Sequence, residues 1–295
     1  MAMVKDMTES PTLGLMVPPS VPPELVPKIA IASEASGLDY LWVCEDCFAA
    51  TAITYAALAL SATEKIRVGT GFLSAPVRNV ATAAMDFSIL ARNFPGRVLP
   101  GIGHGWQPHM AQVGAKVDSP LALLEEYVTA LRDLLNGNTV NTSGRYVRLD
   151  DVRLAWPPDP LPIMVGADGP KSLRLAGRIG DGTILTSFVP KDEITSRREL
   201  INPVAGHRIL LARTIAVGAG SLERLQSDPG HYPELGLVKS PSLAVGGSAA
   251  EVADQLLDMR DLGVTDFIAS PTGNEPDLVE YIRALGQEVR PLLRA

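Results

Sequence analysis

The sequence predicts an α/β fold, a (β/α)8 TIM barrel with insertions. Three observations predict it. Short, nearly uninterrupted apolar runs alternate with longer amphipathic stretches, the pattern of parallel strands covered by helices. Eight such runs fit within 295 residues, which suits a closed barrel better than an open sheet. No composition shift marks a boundary, so residues 1–295 are expected to form one domain.

The elements follow in order. An apolar run over 12–17 ends at Pro18 and Pro19. Leu25, Ile29 and Ala32 recur at helical spacing over 23–36, with Gly37 as the C-cap. Residues 40–44 read as a buried strand, 51–62 as an apolar helix and 66–73 as a strand. A helix over 79–93 precedes Gly96, and a strand covers 98–103. Ser119 caps a strong helix that Pro120 opens, running to Asn136 with Gly137 after it. The alternation of TVNTSGRYVRL around Ser143-Gly144 predicts a hairpin insertion near 138–150. A strand at 161–165, a helix at 170–179 capped by Gly180, and strands at 182–186 and 207–217 follow. Ser248 caps a helix over 249–261, which Gly263 ends. The last strand is 266–269 and the last helix 275–293. Residues 188–206 and 221–247 lack a clear period and read as loops or lids.

Composition excludes several classes. Apolar residues make up 46% and charged residues 20%, too apolar for a disordered chain. The net charge is −7 and no Lys/Arg cluster breaks it, which argues against nucleic acid or an anionic membrane as partner. The longest apolar stretch, 53–60, contains Thr54 and Tyr55 and is far short of the roughly 20 residues that span a bilayer. Asp6 and Glu9 near the start do not suit a signal peptide. Two cysteines make no disulfide scaffold, so a reduced, cytoplasmic protein is expected.

A barrel places its chemistry at the C-terminal ends of its strands. That selects CEDC (44–47), FLSAPVR (72–78), GHGW (103–106), GADGPK (166–171) and TSF (186–188). In CEDC the flanking Glu45 and Asp46 stabilise the thiol rather than the reactive thiolate. A zinc site would need about four ligands, and no second cysteine pair exists. The acid pair is therefore the informative part. GIGHGW (101–106) has Trp106 where a dinucleotide fingerprint needs its third glycine. Its glycines still imply close backbone approach, by a ligand or by a neighbouring strand. His104 and His109 are poorly spaced to share a metal on one helix face, so no metal is expected. His104 is either a turn residue or an acid–base group. In GADGPK, Pro170 opens a helix after a strand, leaving free N–H groups that suit a phosphate, with Lys171 adding charge. The plainer reading makes Asp168 an ordinary N-cap. No G-x-S-x-G pattern supports a serine hydrolase.

The stretches GLDYLWVCED (37–46), IRVGTGFLSAPVRN (66–79), FPGRVLPGIGHG (94–105), YVTALRDLLNG (127–137), PIMVGADGPKSLRLAGRIGDGTILTS (162–187) and GVTDFIAS (263–270) resemble the bacterial luciferase-like superfamily of flavin- and deazaflavin-dependent oxidoreductases. The likeness runs through nearly the whole chain in order. It leans to the branch that uses coenzyme F420, which includes glucose-6-phosphate dehydrogenases and methylenetetrahydromethanopterin reductases. The resemblance implies a hydride transfer between F420 and a small organic substrate, in a homodimer. An FMN-dependent monooxygenase or reductase on the same fold is the alternative, and a non-catalytic cofactor-binding protein the alternative of another class. It implies that Gly71, Phe72, Gly103 and Gly105 approach the cofactor ring, with a cis peptide between Gly71 and Phe72. Gly166, Ala167, Asp168, Gly169, Lys171 and Thr186 would hold the phosphate. Departures bear on chemistry. Relatives often carry Asp-His at Glu45-Asp46, and several carry a Glu at Trp106. That leaves His104 as the first acid–base candidate, with Glu45 and Asp46 next. Where sugar-phosphate dehydrogenases carry a Lys, this chain has Phe188 and Val189, so a flatter or more apolar substrate is expected.

Overall fold

The computed structural model describes residues 10–18, 20–45, 47–230 and 243–294. The chain runs β1 (Thr12–Met16), α1 (Val26–Ser36), β2 (Tyr40–Val43), α2 (Ala52–Ser61), β3 (Arg67–Thr70), β4 (Leu73–Ser74), α3 (Val80–Asn93), β5 (Val98–Leu99), β6 (Gly101–Gly103), α4 (Gln107–Gln112) and α5 (Pro120–Leu135). It continues through β7 (Val140–Ser143), β8 (Arg148–Val152), β9 (Met164–Ala167), α6 (Pro170–Ile179), β10 (Gly182–Leu185), α7 (Ile194–Ile201), β11 (Arg208–Val217), α8 (Ser221–Gln226), β12 (Ala244–Gly247), α9 (Ala249–Asp261), β13 (Asp266–Ser270) and α10 (Leu278–Arg283).

All pairings in the main sheet are parallel and they close a ring. From β13 the sheet passes to β1, β2 and β3. β3 pairs β5 at the base, while β4 pairs β6 toward the mouth, so two interrupted strands complete one staggered contact. β6, β9, β10, β11 and β13 return to the start. β7 and β8 form the separate antiparallel hairpin expected near 138–150. β12 pairs only with the far half of β11.

The interior is packed as a barrel core should be. Tyr40, Trp42, Leu99, Met164, Ile184, Leu210 and Ile268 fill it. Trp42 occupies its centre because two neighbours lack a side chain. A Cβ on Gly69 would lie 2.4 Å from the indole, and one on Gly14 3.1 Å from it. At the base, Asp266 accepts from Thr12, from Thr265 and from the Arg208 guanidinium. Arg67 and Arg208 lie over the Tyr40 ring at 5.2 and 5.1 Å.

Several local expectations need correction. The strand read from 161 begins at Met164, because Pro162 has no N–H and the Ile163 amide donates to the Asp181 carboxylate at 2.7 Å. Ser119 stands at the N-cap of α5 but caps nothing with its side chain, and its amide donates to the Tyr146 hydroxyl. Ser248 and Glu251, by contrast, form a reciprocal capping box. Gly180 is extended, not a left-handed cap; a Cβ there would sit 2.9 Å from the Gly182 carbonyl. The segments read as loops contain α7, α8 and β12. α7 buries only Ile194 and Ile201, too few apolar positions to show a period. The final helix starts at Leu278 behind an Asp277 N-cap and passes into a π-helical turn over Ala284–Val289.

Candidate functional site

The C-terminal ends of the strands bring most of the selected segments to one mouth. Its floor is Phe72, placed between β3 and β4. The Gly71–Phe72 peptide is cis, as the resemblance implied, and a second cis peptide joins Cys47 and Phe48. The Phe72 ring lies over β6 and β9. A Cβ on Gly166 would fall 2.3 Å from it and one on Gly103 3.1 Å from it. Gly103 was expected to be approached by a ligand or a neighbouring strand; what approaches it here, and Gly166 as well, is the Phe72 side chain. Gly105, at φ +70°, leaves room for Met110.

Glu45 turns inward. Its amide donates to the Phe72 carbonyl at 3.1 Å, and its carboxylate accepts from the Ser74 amide at 3.1 Å. Arg78 stands 3.5 Å from that carboxylate and 2.9 Å from Asp86. Burial pushes the Glu45 carboxyl above the usual range, against the pull of the Ser74 amide and Arg78. So Glu45 braces the loop that carries Phe72. The Cys44 thiol lies 2.8 Å from the Gly71 carbonyl. Asp46 lies outside the described residues.

His104 is half-buried just past β6. Its Nδ1 is 2.8 Å from the Gly105 carbonyl, which can only accept, so Nδ1 is the donor there, and in the neutral imidazole Nε2 is the acceptor. Gln107 donates to the His104 and Gly105 carbonyls and holds the turn. Beyond it, His109 meets Trp106 edge-on at 4.5 Å and Phe48 at 5.6 Å.

The third cluster sits where β9 and β10 end. Leu185 is in register with Ala167, so Thr186 and Asp168 follow on neighbouring strands. The Thr186 hydroxyl oxygen is buried with no hydrogen-bond partner among the described residues. Next to it α6 begins at an exposed Gly169 with no side-chain cap. Ser172 accepts from the Asp168 amide and donates to the Gly169 carbonyl. Asp168 is therefore not the N-cap; its carboxylate and carbonyl each accept from Arg197 at 2.6 Å. Lys171 is exposed and makes no ion pair among the described residues. Arg197, on α7, is the cation that sequence reasoning missed. Its segment carried too weak a pattern to place it, and only the tertiary fold sets α7 against α6.

Among the described residues no three His, Cys, Asp or Glu side chains are grouped to hold a metal. No helix there is long and apolar enough to cross a membrane.

Known proteins resemble this chain in sequence and in fold. The chain is 31% identical over 186 residues, 61% of its length, to a 5,10-methylenetetrahydromethanopterin reductase of Methanolobus tindarius, covering 56% of that protein. It is 30% identical over 178 residues, 56% of its length, to an F420-dependent glucose-6-phosphate dehydrogenase of Nakamurella multipartita, covering 52% of it. The chain thus spans about half the length of these two curated relatives. A solved F420-dependent secondary alcohol dehydrogenase, in complex with an F420-acetone adduct, superposes with a TM-score of 0.85 at 20% identity, over 97% of this chain and 100% of that one. Likeness at that identity establishes the luciferase-like barrel fold. The profile of the luciferase-like monooxygenase family matches residues 9–227, about three quarters of the sequence, and the chain belongs to that family.

Proposed function

We propose that this protein is an oxidoreductase that transfers a hydride between the deazaflavin coenzyme F420 and a small organic substrate at the mouth of the barrel. One observation carries the reading. The buried Thr186 hydroxyl has no partner among the described residues, and it lies beside a helix start whose first amides have no side-chain cap. Orphaned donors at such a point suit a phosphate. The name of the Nakamurella relative supports a deazaflavin as the group that carries that phosphate.

The residues fit the group. The amides at the start of α6 and the Thr186 hydroxyl would hold the phosphate. Arg197 pairs with Asp168 and also with Glu193, which draws the Asp168 carboxylate away from the helix start. When bound, the deazaflavin supplies a two-electron hydride donor or acceptor. Phe72, braced by Glu45, offers a fixed apolar floor at the mouth. His104 presents one acceptor nitrogen, the arrangement needed to take or return a proton. A homodimer and a cytoplasmic location belong to the same reading.

Fluorescence titration of the purified protein with F420 and, in parallel, FMN tests it. Tight F420 and weak FMN binding is the expected result. The reverse preference makes the protein a flavin monooxygenase or reductase, because both cofactors present a phosphate. Cofactor that binds but is never reduced or oxidised by a substrate panel leaves a binding protein. Binding of neither overturns the site.

A further inference from the structure

The mouth carries an aromatic row that the cofactor reading does not use. Phe48, from the loop after β2, and Trp106, at the head of α4, flank His109 from two sides, at 5.6 and 4.5 Å. Phe48 is 72% exposed and Trp106 43%, so neither ring is part of the core. Aromatic residues are only 5% of this chain, yet three ring side chains from two separate loops converge here.

The row is continuous with the candidate site. Trp106 is two residues from His104. The loop of Phe48 is tied to the floor, since the Glu45 amide donates to the Phe72 carbonyl. Residues 47–63, 72–77 and 103–115 contain no Asp, Glu, Lys or Arg. Two of the flanking charges are engaged elsewhere: Glu45 takes the Ser74 amide and Arg78, and Arg78 takes Asp86. An anionic substrate would find no Lys or Arg within these stretches, and the faces of aromatic rings are negative, which disfavours anions.

We infer that Phe48, His109 and Trp106 form the substrate subsite, and that it takes an uncharged, planar aromatic molecule by ring stacking. This rests on the reading of the mouth as a hydride-transfer site.

The test is calorimetric titration of the full-length protein with acetophenone, with its anionic counterpart benzoate, and with glucose 6-phosphate. Wild type is compared with Phe48→Ala, Trp106→Ala and Trp156→Ala, the last an exposed tryptophan outside the row. Both site rings are exposed, so truncating them empties no core. Acetophenone should bind at least about tenfold tighter than either anion. Phe48→Ala and Trp106→Ala should each weaken it about three- to tenfold, the scale of one aromatic contact, and Trp156→Ala should not. Equal affinity for benzoate or glucose 6-phosphate, no effect of the two site variants, or an equal loss in Trp156→Ala overturns the inference. So does concentration-dependent self-association that the two variants abolish without any acetophenone binding, because the row then faces a second copy of the chain. F420 and FMN titrations on the same samples separate the two readings. If neither cofactor binds while the acetophenone preference persists, the hydride-transfer reading fails alone. If cofactor binds and the preference is absent, the aromatic subsite fails alone.

Discussion

The two ends of this barrel solve opposite problems. At the base, Asp266 is buried and every neighbour answers it: Thr12, Thr265 and Arg208 all donate to it, and Arg208 also lies over Tyr40. At the mouth, Thr186 keeps a buried hydroxyl without a partner among the described residues, α6 begins without a side-chain cap, and Phe48, Trp106 and Phe188 are exposed. All strands run the same way, so each end gathers one kind of strand terminus, and the side chains there set the contrast. Satisfied polar groups at the base stabilise the closed ring. Unsatisfied ones at the mouth are places where something else can bind.

The strongest way to break this contrast is Asp266→Ala. It leaves the Arg208 charge without its partner at the base, and should cost about 3–5 kcal/mol of unfolding free energy in a denaturant titration. If the ends are independent, cofactor affinity of the remaining folded protein is unchanged. His104→Ala should do the reverse. It should lower kcat about a hundredfold, the scale of one acid–base group, with stability and cofactor affinity nearly intact. An unchanged kcat would make the histidine a turn residue.

Thr186→Val sharpens the point. It removes a hydroxyl that bonds nothing among the described residues, so thermal unfolding should be unaffected or slightly raised. Cofactor affinity should nevertheless fall by about 1–1.5 kcal/mol, the worth of one hydrogen bond. Lys171→Ala should cost less than that in the same titration, because the side chain is exposed and screened.

The smallest effect concerns Glu45. Burial raises its pKa in the folded state. The folded protein therefore holds this proton more tightly than the unfolded chain does. The resulting stability is present below the ordinary carboxylate range and is lost as pH rises through the raised value. Glu45→Gln can still accept from the Ser74 amide but cannot ionise. Its melting temperature should gain on wild type as pH is raised from that range toward neutrality. A constant gap would show that Arg78 fully compensates the charge.

The barrel itself was legible because its signals are local. Seven of the eight strand starts fall within about two residues of the expectation, and the hairpin and the Ser248 cap are where the pattern put them. The exception, at 161, turned on where one amide goes, to Asp181 rather than to the sheet. α7, α8 and β12 were not legible, since they bury few side chains and give no period. The site was half legible. Gly103 announced a close approach without saying whose, and Phe72 takes that space and the one at Gly166. Glu45 read as an available acid because its braces, Ser74 and Arg78, stand about thirty residues away.

By itself the sequence determined the alternation of strand and helix, the charge balance and the loops that gather at the mouth. These follow from period, composition and turn chemistry, which act between neighbours along the chain. The tertiary structure alone decided that Arg197 answers Asp168, that Thr186 is left without a partner, and that Phe48 and Trp106 meet at His109. Such pairings depend on which strand ends the closure of the ring brings side by side, and no local preference encodes that.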